Sequence, residues 1–544
     1  MWFEKLSERL EQEKQSIATL ASEGWVKNVV WQIDNDLEAI WVDLDFLAGD
    51  EWWEAKLVYP FIYPYAPPQV LPRQDVRWSN HQWGRGGELC LEIRADNWHS
   101  SLCGADMVRS ARKLLGTEAT LDESGRPLAV LSDHRFTEGQ RLAFLRIILT
   151  DDLIAEVERR GNAVSLLDLS RVVNDSSTVF AGVSLPGDAS FDEWIDNGIP
   201  EQFRTYAISV GRVARLEEDD DRHRVLTDDA CSPEEIWKHF SDIPFDPPML
   251  VIGILNGKVL AKFLGTERAY DIAHIPMDNK QRTPVRNEVA AAKRVAIVGC
   301  GSMGSKVAAS LVRCGVSDFL LIDGDVLKPG NLVRNELDWF AVGSHKIDGV
   351  TNRLRSINPK VIVETWKGQL DGQHSTAAVV RALEKLAQCD LIIETSASGH
   401  GFGVAAAVAT QAKIPMVWGR VFGGGYGGYI TRARPGIESD PLRVRHQVYT
   451  IMTDPSLPRP PDDSEVDYGS ENDEQETMIA DDADVSVISA HLSRFAIDTL
   501  HPPEQSHYPE SAYLIALRKE WLFDHPFDTR PIALPRVERE AEND

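Results

Sequence analysis

Trp2, Phe3, Leu6, Leu10, Ile17 and Leu20 recur at near-helical spacing with Glu and Lys between them. This predicts an amphipathic helix over residues 2–22. Aromatic and β-branched runs follow at 25–26, 29–31, 40–44 and 53–58 and predict strands. Residues 59–68 carry four prolines. Proline fixes φ and lacks a ladder donor, so an extended segment outside any central strand is expected there. Helical spacing returns over 102–115 and ends at Gly116. From 117 to 285 the pattern predicts a mixed α/β connecting domain. Helical pieces near 137–160 alternate with apolar runs such as Met249–Leu255, and the acidic run Glu217 to Asp221 reads as a solvated loop.

From residue 294 strands and helices alternate. Strands are expected at 294–298, 319–323, 361–364 and 391–394, and helices at 305–314, 345–357 and 375–388. That alternation predicts a doubly wound, mostly parallel, Rossmann-like sheet. Residues 453–484 are proline-rich, then strongly acidic, and read as a long mobile loop. No internal repeat is visible. The whole reads as a multidomain α/β chain divided at 1–116, 117–285 and 286–544. A length of 544 residues agrees, at roughly 150 residues per domain.

Charge narrows the function. Asp and Glu number 84 against 57 Lys and Arg, a net charge of −27. A face that binds nucleic acid through its phosphate backbone is not expected. Cys90, Cys103, Cys231, Cys300, Cys314 and Cys389 form no C-x-x-C pair, which argues against a disulfide framework and a four-cysteine zinc site. The first residues lack the apolar core of a signal peptide, and no stretch is apolar enough to span a membrane. A cytoplasmic protein in a reducing compartment is expected.

Gly299-Cys300-Gly301-Ser302-Met303-Gly304 lies between a predicted strand and a predicted helix. Such a G-x-G-x-x-G turn lets backbone N–H groups approach a phosphate. By itself it fits a nicotinamide-dinucleotide domain, and less readily a ligand-free structural turn. The next segment adds Asp323-Gly324-Asp325-Val326, then Asn331-Leu332-Val333-Arg334-Asn335, then Lys346. A dinucleotide enzyme needs one acidic residue for the ribose and not the three that follow. This set, over about 294–435, resembles the adenylating family of ubiquitin-activating enzymes and the thiamin and molybdopterin sulfur-carrier activators (ThiF/MoeB/HesA type). The resemblance implies ATP and Mg²⁺ as cofactors. It implies that Gly299, Gly301, Gly304 and Asp325 belong to the nucleotide site and that Asp323 binds the ribose hydroxyls. Asn331, Arg334 and Lys346 would hold the triphosphate and neutralise charge as pyrophosphate leaves. Where the family carries its Mg²⁺-binding aspartate this chain reads Glu394-Thr395-Ser396-Ala397-Ser398, with Ala397 at the aspartate position. Glu394 is the substitute metal ligand, with Asp325 the alternative. No Cys follows Cys389, so the late nucleophile of many relatives is missing.

Tyr63-Pro64-Tyr65-Ala66-Pro67-Pro68, then Leu89-Cys90-Leu91, then Trp98, follow the N-terminal helix and strands. Residues 1–116 thereby resemble the α+β core of ubiquitin-conjugating enzymes. A lone Cys between leucines also reads as a buried, inert thiol. The resemblance instead makes Cys90 the acyl carrier, with Cys103 structural. The usual H-P-N tripeptide is replaced by Asn80-His81-Gln82, which leaves His81 as the matching catalytic histidine and Asn80 one residue out of register.

Both domains on one chain resemble the bacterial activating–conjugating fusions of antiphage CBASS operons. The reaction implied activates a protein C-terminus as an acyl-adenylate, moves it to Cys90 as a thioester, and joins it to a lysine of an acceptor protein. The activated partner would be a cyclic-nucleotide synthase or a ubiquitin-like protein from another chain. The adenylation domain is expected to form a homodimer, with Arg282 and Arg286 as candidates to reach the partner's ATP. A catalytically degenerate nucleotide-binding scaffold is the competing reading, because of Ala397 and the missing second Cys.

Overall fold

The computed structural model describes residues 1–34, 38–74, 76, 78–79, 82–83, 87–95, 97–118, 143–205, 208–228, 230–277, 284, 287–370, 375–458 and 480–536. His81, Asn80, Arg282 and Arg286 lie outside the described residues, as do 137–142 of the expected helix and 459–479 of the acidic stretch. The chain divides into two compact units, Met1–Leu142 and Ala143–Asp544.

In the first unit, helices α1 (Trp2–Lys5) and α2 (Ser7–Ser22) precede an antiparallel meander of β1 (Val26–Asp34), β2 (Ala39–Ala48), β3 (Glu51–Tyr59) and β4 (Gln69–Pro72). Helix α3 (Gly104–Glu118) closes the unit. Ile40, Val42, Leu44 and Phe46 alternate along β2 and are buried against Ile17 and Leu20 of α2 and Val108 and Ala111 of α3. This is the period-2 pattern of a sheet with one face on the core. Helix α3 runs through Gly116 to Glu118 instead of stopping at the glycine. The proline-rich stretch is not extended. Amides of Tyr63 and Tyr65 donate to Pro60 and Ile62 carbonyls at 3.0 Å, so it folds into consecutive turns. Those turns bring Tyr63 to the buried Glu13, which also accepts from the Tyr59 hydroxyl at 2.9 Å and the Gly104 amide at 2.7 Å. A buried carboxylate needs such donors, and they outweigh the extended preference of proline.

The second unit holds, among the described residues, two sheets. Nine strands between Leu145 and Ile275 form a mixed sheet. Leu145–Ile148 is a strand where helix was expected, and the helix is confined to Asp151–Arg160. Thr150 caps that helix by accepting from the Leu153 amide. The acidic run is only partly a loop, since Asp220 caps the helix Asp221–Thr227.

The eight-stranded sheet contains β5 (Arg294–Val298), β6 (Asp318–Ile322), β7 (Ile362–Trp366), β8 (Leu391–Glu394), β9 (Met416–Val421), β10 (Gly427–Ala433), β11 (Ala512–Ala516) and β12 (Thr529–Ile532). Its spatial order is β7-β6-β5-β8-β9-β10-β11-β12, with β5 to β9 and their neighbours β6 and β7 parallel. Central parallel strands are covered on both faces and so are apolar at nearly every position. Val295, Ile297, Phe319 and Leu321 face helices α4 (Ser302–Arg313), α5 (Lys346–Ile357) and α9 (Asp482–Thr499). Ala296, Val298, Leu320 and Ile322 face α6 (Thr376–Leu386), α7 (Gly399–Ala412) and α8 (Pro441–Met452). Each such Val, Leu or Ile contributes about 1.5–3 kcal/mol on burial. Residues 481–484, expected in the acidic loop, instead form the cap and first turn of α9. No helix among the described residues is long and apolar enough to cross a membrane.

Candidate active site

Strand order reverses between β5 and β8, and ligands of doubly wound sheets bind beyond the strand ends at such a point. Gly299 to Gly304 occupies it. Gly299 has φ +90°, and a Cβ there would lie 2.5 Å from the Ser396 Cα. A Cβ at Gly304 would overlap the Gly299 carbonyl. These two glycines serve close packing of loop on loop and helix on strand. Gly301, the N-cap of α4, has φ −74° and open space where a Cβ would stand. The loop is therefore tight beneath and open above, at the N-terminus of a 12-residue helix. A phosphate fits such a cradle.

Asp323 follows β6 and is braced by the glycine loop. Its Oδ2 accepts from the Cys300 amide and its Oδ1 from the Asp325 amide, both at 2.7 Å. Burial pushes the Asp323 carboxyl above its ordinary value, against these amides and Lys346, which favour the charged form. Asp325 is exposed, ion-paired with Lys346 Nζ at 2.8 Å and bonded by Gln369 Nε2 at 3.0 Å. Asn331 Oδ1 accepts from the Lys328 amide at 2.9 Å and shapes the turn that carries Arg334. The Arg334 guanidinium rests on the Ala480 carbonyl at 3.5 Å. Asp323, Asp325 and Lys346 thus converge with the glycine loop, while Asn331 and Arg334 belong to the adjoining segment.

Glu394 ends β8, and its Oε1 accepts from the Ser396 amide at 2.9 Å and from the Ser396 hydroxyl. Burial pushes its carboxyl up, with these bonds opposing. Ala397 has φ +60°, a left-handed conformation that Asp and Asn adopt more readily. No cluster of three or more His, Cys, Asp or Glu able to hold a metal occurs among the described residues. A magnesium ion that arrives with phosphates needs only one or two protein carboxylates.

Cys300 is fully buried under the loop, and burial holds its thiol well above the ordinary range. Cys389 is pushed up to about 11 by the same cause. Neither thiol is poised to become a thiolate.

In the first unit, Cys90 follows the two-residue strands Gln82–Trp83 and Glu88–Leu89 and precedes α3. It is 5% exposed, between the buried Leu89 and Leu91. Gln82 closes the hairpin by donating to the Gly87 carbonyl at 2.8 Å. Trp98 Nε1 donates to the Pro64 carbonyl at 2.8 Å, which ties the tryptophan and proline motifs together. Cys103 is a cap position. Its amide donates to Asp106 Oδ2 at 2.9 Å, and burial raises its thiol.

Residues 277–454 match the family model described as the ThiF family. This segment carries the ThiF-type sequence pattern. The chain is similar to the uncharacterized protein y4oA of Sinorhizobium fredii, 30% identical over 168 residues, 29% of this chain and 28% of that protein. It is 41% identical over 70 residues to ubiquitin-like modifier-activating enzyme 5 of Rattus norvegicus, 13% of this chain and 17% of that one. It also resembles the ATP-dependent ubiquitin transferase-like protein Cap2 of Enterobacter hormaechei subsp. hoffmannii, 32% identical over 102 residues, 19% of this chain and 16% of that one. The matched segments therefore span less than a third of each relative. Among solved structures, E. coli MccB with ATP aligns at 15% identity and a TM-score of 0.35, over 47% of this chain and 67% of that one.

Three residues of the ThiF-type domain escape a motif-based reading. Asn335, only 8% exposed, donates to the Cys300 carbonyl at 3.3 Å and accepts from the Leu337 amide at 3.2 Å. Thr395 Oγ1 donates to the Gly299 carbonyl at 2.8 Å. Gln369 supports Asp325. Asn335 alone carried a signal, standing next to Arg334 in the motif.

Proposed function

We propose that the protein activates the C-terminal carboxylate of a partner protein with ATP and passes it, through a thioester on Cys90, to a lysine of an acceptor. The observation that carries this reading is the open cradle above Gly301 with Asp323, Asp325 and Lys346 gathered beside it. An acidic residue braced by two loop amides presents its remaining lone pairs to ribose hydroxyls. Lys346, with Arg334 and Asn331 on the adjoining turn, offers positive charge and donors to the triphosphate, so attack on the α-phosphate releases pyrophosphate into a neutralising environment. Magnesium, when bound with the nucleotide, shields phosphate charge, and Glu394 is the nearby carboxylate not paired to a lysine. The match to the ThiF family and the likeness to activating enzyme 5 and Cap2 support the adenylation half. The motifs around Cys90 support the conjugating half, with His81 as its histidine, and a CBASS-type antiphage role is part of the same proposal. The domain boundaries 1–116, 117–285 and 286–544 and a homodimer through the adenylation domain belong to the same reading.

Direct transfer from the adenylate to Cys90 is chemically sufficient: the thiolate attacks the mixed anhydride, a C–S bond forms, the C–O bond to AMP breaks, and AMP leaves. Cys90→Ala should remove every reductant-sensitive adduct, and Cys90→Ser should trap a reductant-stable ester. An adduct that survives in Cys90→Ala would show another cysteine to be the carrier. ATP–pyrophosphate exchange with candidate C-terminal peptides tests the first half, and Arg334→Ala or Asp323→Ala should abolish it. A second reading, a nucleotide-binding scaffold without turnover, is favoured by Ala397 at the metal position and predicts nucleotide binding without exchange.

A further inference from the structure

We infer that Arg420 and Arg445 read acidic side chains about three or four residues upstream of the carboxylate that the ThiF-type domain activates. The inference rests on the adenylation reading above. Glu394 pairs with Trp418 across β8 and β9, and Arg420 pairs with Tyr429 across β9 and β10. Cross-strand partners share a face, as do residues two apart on one strand. Glu394, Trp418, Arg420 and Tyr429 therefore line one face of the sheet, at the strand ends where ligands of this fold bind. On that face Phe402 of α7 meets Trp418 edge-on with ring centroids 5.2 Å apart. The Arg445 guanidinium of α8 stands 4.4 Å from the Phe402 centroid.

Arg420 is exposed and Arg445 half-buried. No ion pair joins either to a carboxylate among the described residues, although most neighbouring arginines, such as Arg432, Arg434 and Arg443, have one. Helix α8 carries Arg443, Arg445 and His446 and no acidic residue, in a chain of net charge −27. Burial pushes the Tyr429 hydroxyl and the Glu394 carboxyl up, opposed by Arg420 and Arg445 at the tyrosine and by Arg445 at the glutamate. Two cations thus share the face of Glu394 and Tyr429 beside the adenylation site, neither within ion-pair distance of a carboxylate among the described residues. Guanidinium forks pair bidentately with carboxylates. From β5 to β9 is two strand spacings, about 10 Å, or roughly three extended residues. A chain with its terminal carboxylate at the glycine loop would lay its third and fourth residues from the end over this pair.

The test uses the full chain with a non-hydrolysable ATP analogue and fluorescent octapeptides with free C-termini. The peptides carry Glu, Ala or Lys at the third and fourth positions from the end. Fluorescence anisotropy should show the Glu peptide binding at least about tenfold more tightly than the Lys peptide. Arg420→Ala and Arg445→Ala should each cut that ratio at least threefold, and the exposed charge reversal Arg420→Glu should favour the Lys peptide. Thermal melts confirm that each variant is folded. Equal affinity for the Glu and Lys peptides, no binding of either, or an unchanged ratio in the variants overturns the inference. So does a loss of analogue affinity in Arg420→Ala with the peptide ratio intact, which would give the arginine to the nucleotide. Analogue binding alone, measured by calorimetry on the unmodified chain, tests the underlying reading separately. Absence of nucleotide binding would sink adenylation itself, whereas nucleotide binding without peptide preference sinks only the role of the arginines.

Discussion

The Cys300 amide donates to Asp323 Oδ2 at 2.7 Å, joining the glycine loop to the end of the next strand across 23 positions of sequence. The same carboxylate holds the Asp325 amide, which aligns Asp325 with Lys346. One acidic side chain therefore sets the shape of the glycine loop and the position of the nearby cation. Asp323→Asn keeps the size but replaces one acceptor oxygen with a donor, so one amide loses its partner. The expected cost is about 1–3 kcal/mol in stability, read from urea unfolding. Nucleotide affinity should fall at least about tenfold in calorimetry. Unchanged affinity would remove Asp323 from the nucleotide site.

Gly299 and Gly301 should separate folding from binding. Gly299→Ala forces a Cβ against the Ser396 backbone at a left-handed position, and a loss of about 2 kcal/mol or more is expected. Gly301→Ala meets open space at an ordinary φ, so its cost should stay near 1 kcal/mol or below. Its methyl would fill the cradle, and nucleotide binding should weaken disproportionately. Thermal melts and nucleotide titrations of the two variants check this. Equal ratios of binding loss to stability loss would count against the cradle.

Ala397 sits at φ +60° between Ser396 and Ser398. Ala397→Gly should stabilise the protein by about 1 kcal/mol by removing left-handed strain. Ala397→Asp should fold normally, because Asp tolerates this conformation. If Glu394 already serves the metal, the added carboxylate should change pyrophosphate exchange little. A large gain in magnesium-dependent exchange would favour the scaffold reading of the natural chain.

Asp196 provides a pH signature away from the site. It is fully buried, bonded to the Thr150 hydroxyl at 2.5 Å and the Gly198 amide at 2.7 Å, and burial raises its carboxyl above the ordinary value. A folded-state value above the unfolded one means that the folded state binds more protons between the two. The contribution of Asp196 is therefore unfavourable at neutral pH and improves as pH falls through the raised value. Asp196→Asn lacks this dependence. The stability difference between the natural chain and the variant should shift toward the natural chain on acidification, as urea midpoints at two pH values would show. A shift toward the variant would reverse the sign.

Hydrophobic patterning by itself determined the order of elements from 294 to 394, because strands buried on both faces must be apolar at almost every position. The glycine turn and the acidic and basic residues after it were legible as a motif, and only their resemblance to the adenylating family implied a nucleotide site. Local pattern did not determine the turns at 59–68, where Glu13, far away in sequence, captures Tyr59 and Tyr63. Nor did it reveal that Asp323 braces Cys300, that Asn335 ties the same loop from below, or that Arg420 and Arg445 share a face. Those relations join residues on different strands and helices, and strand register and sheet order alone bring them together. A buried donor or acceptor takes whichever partner the fold presents, so spacing along the chain carries no trace of the choice.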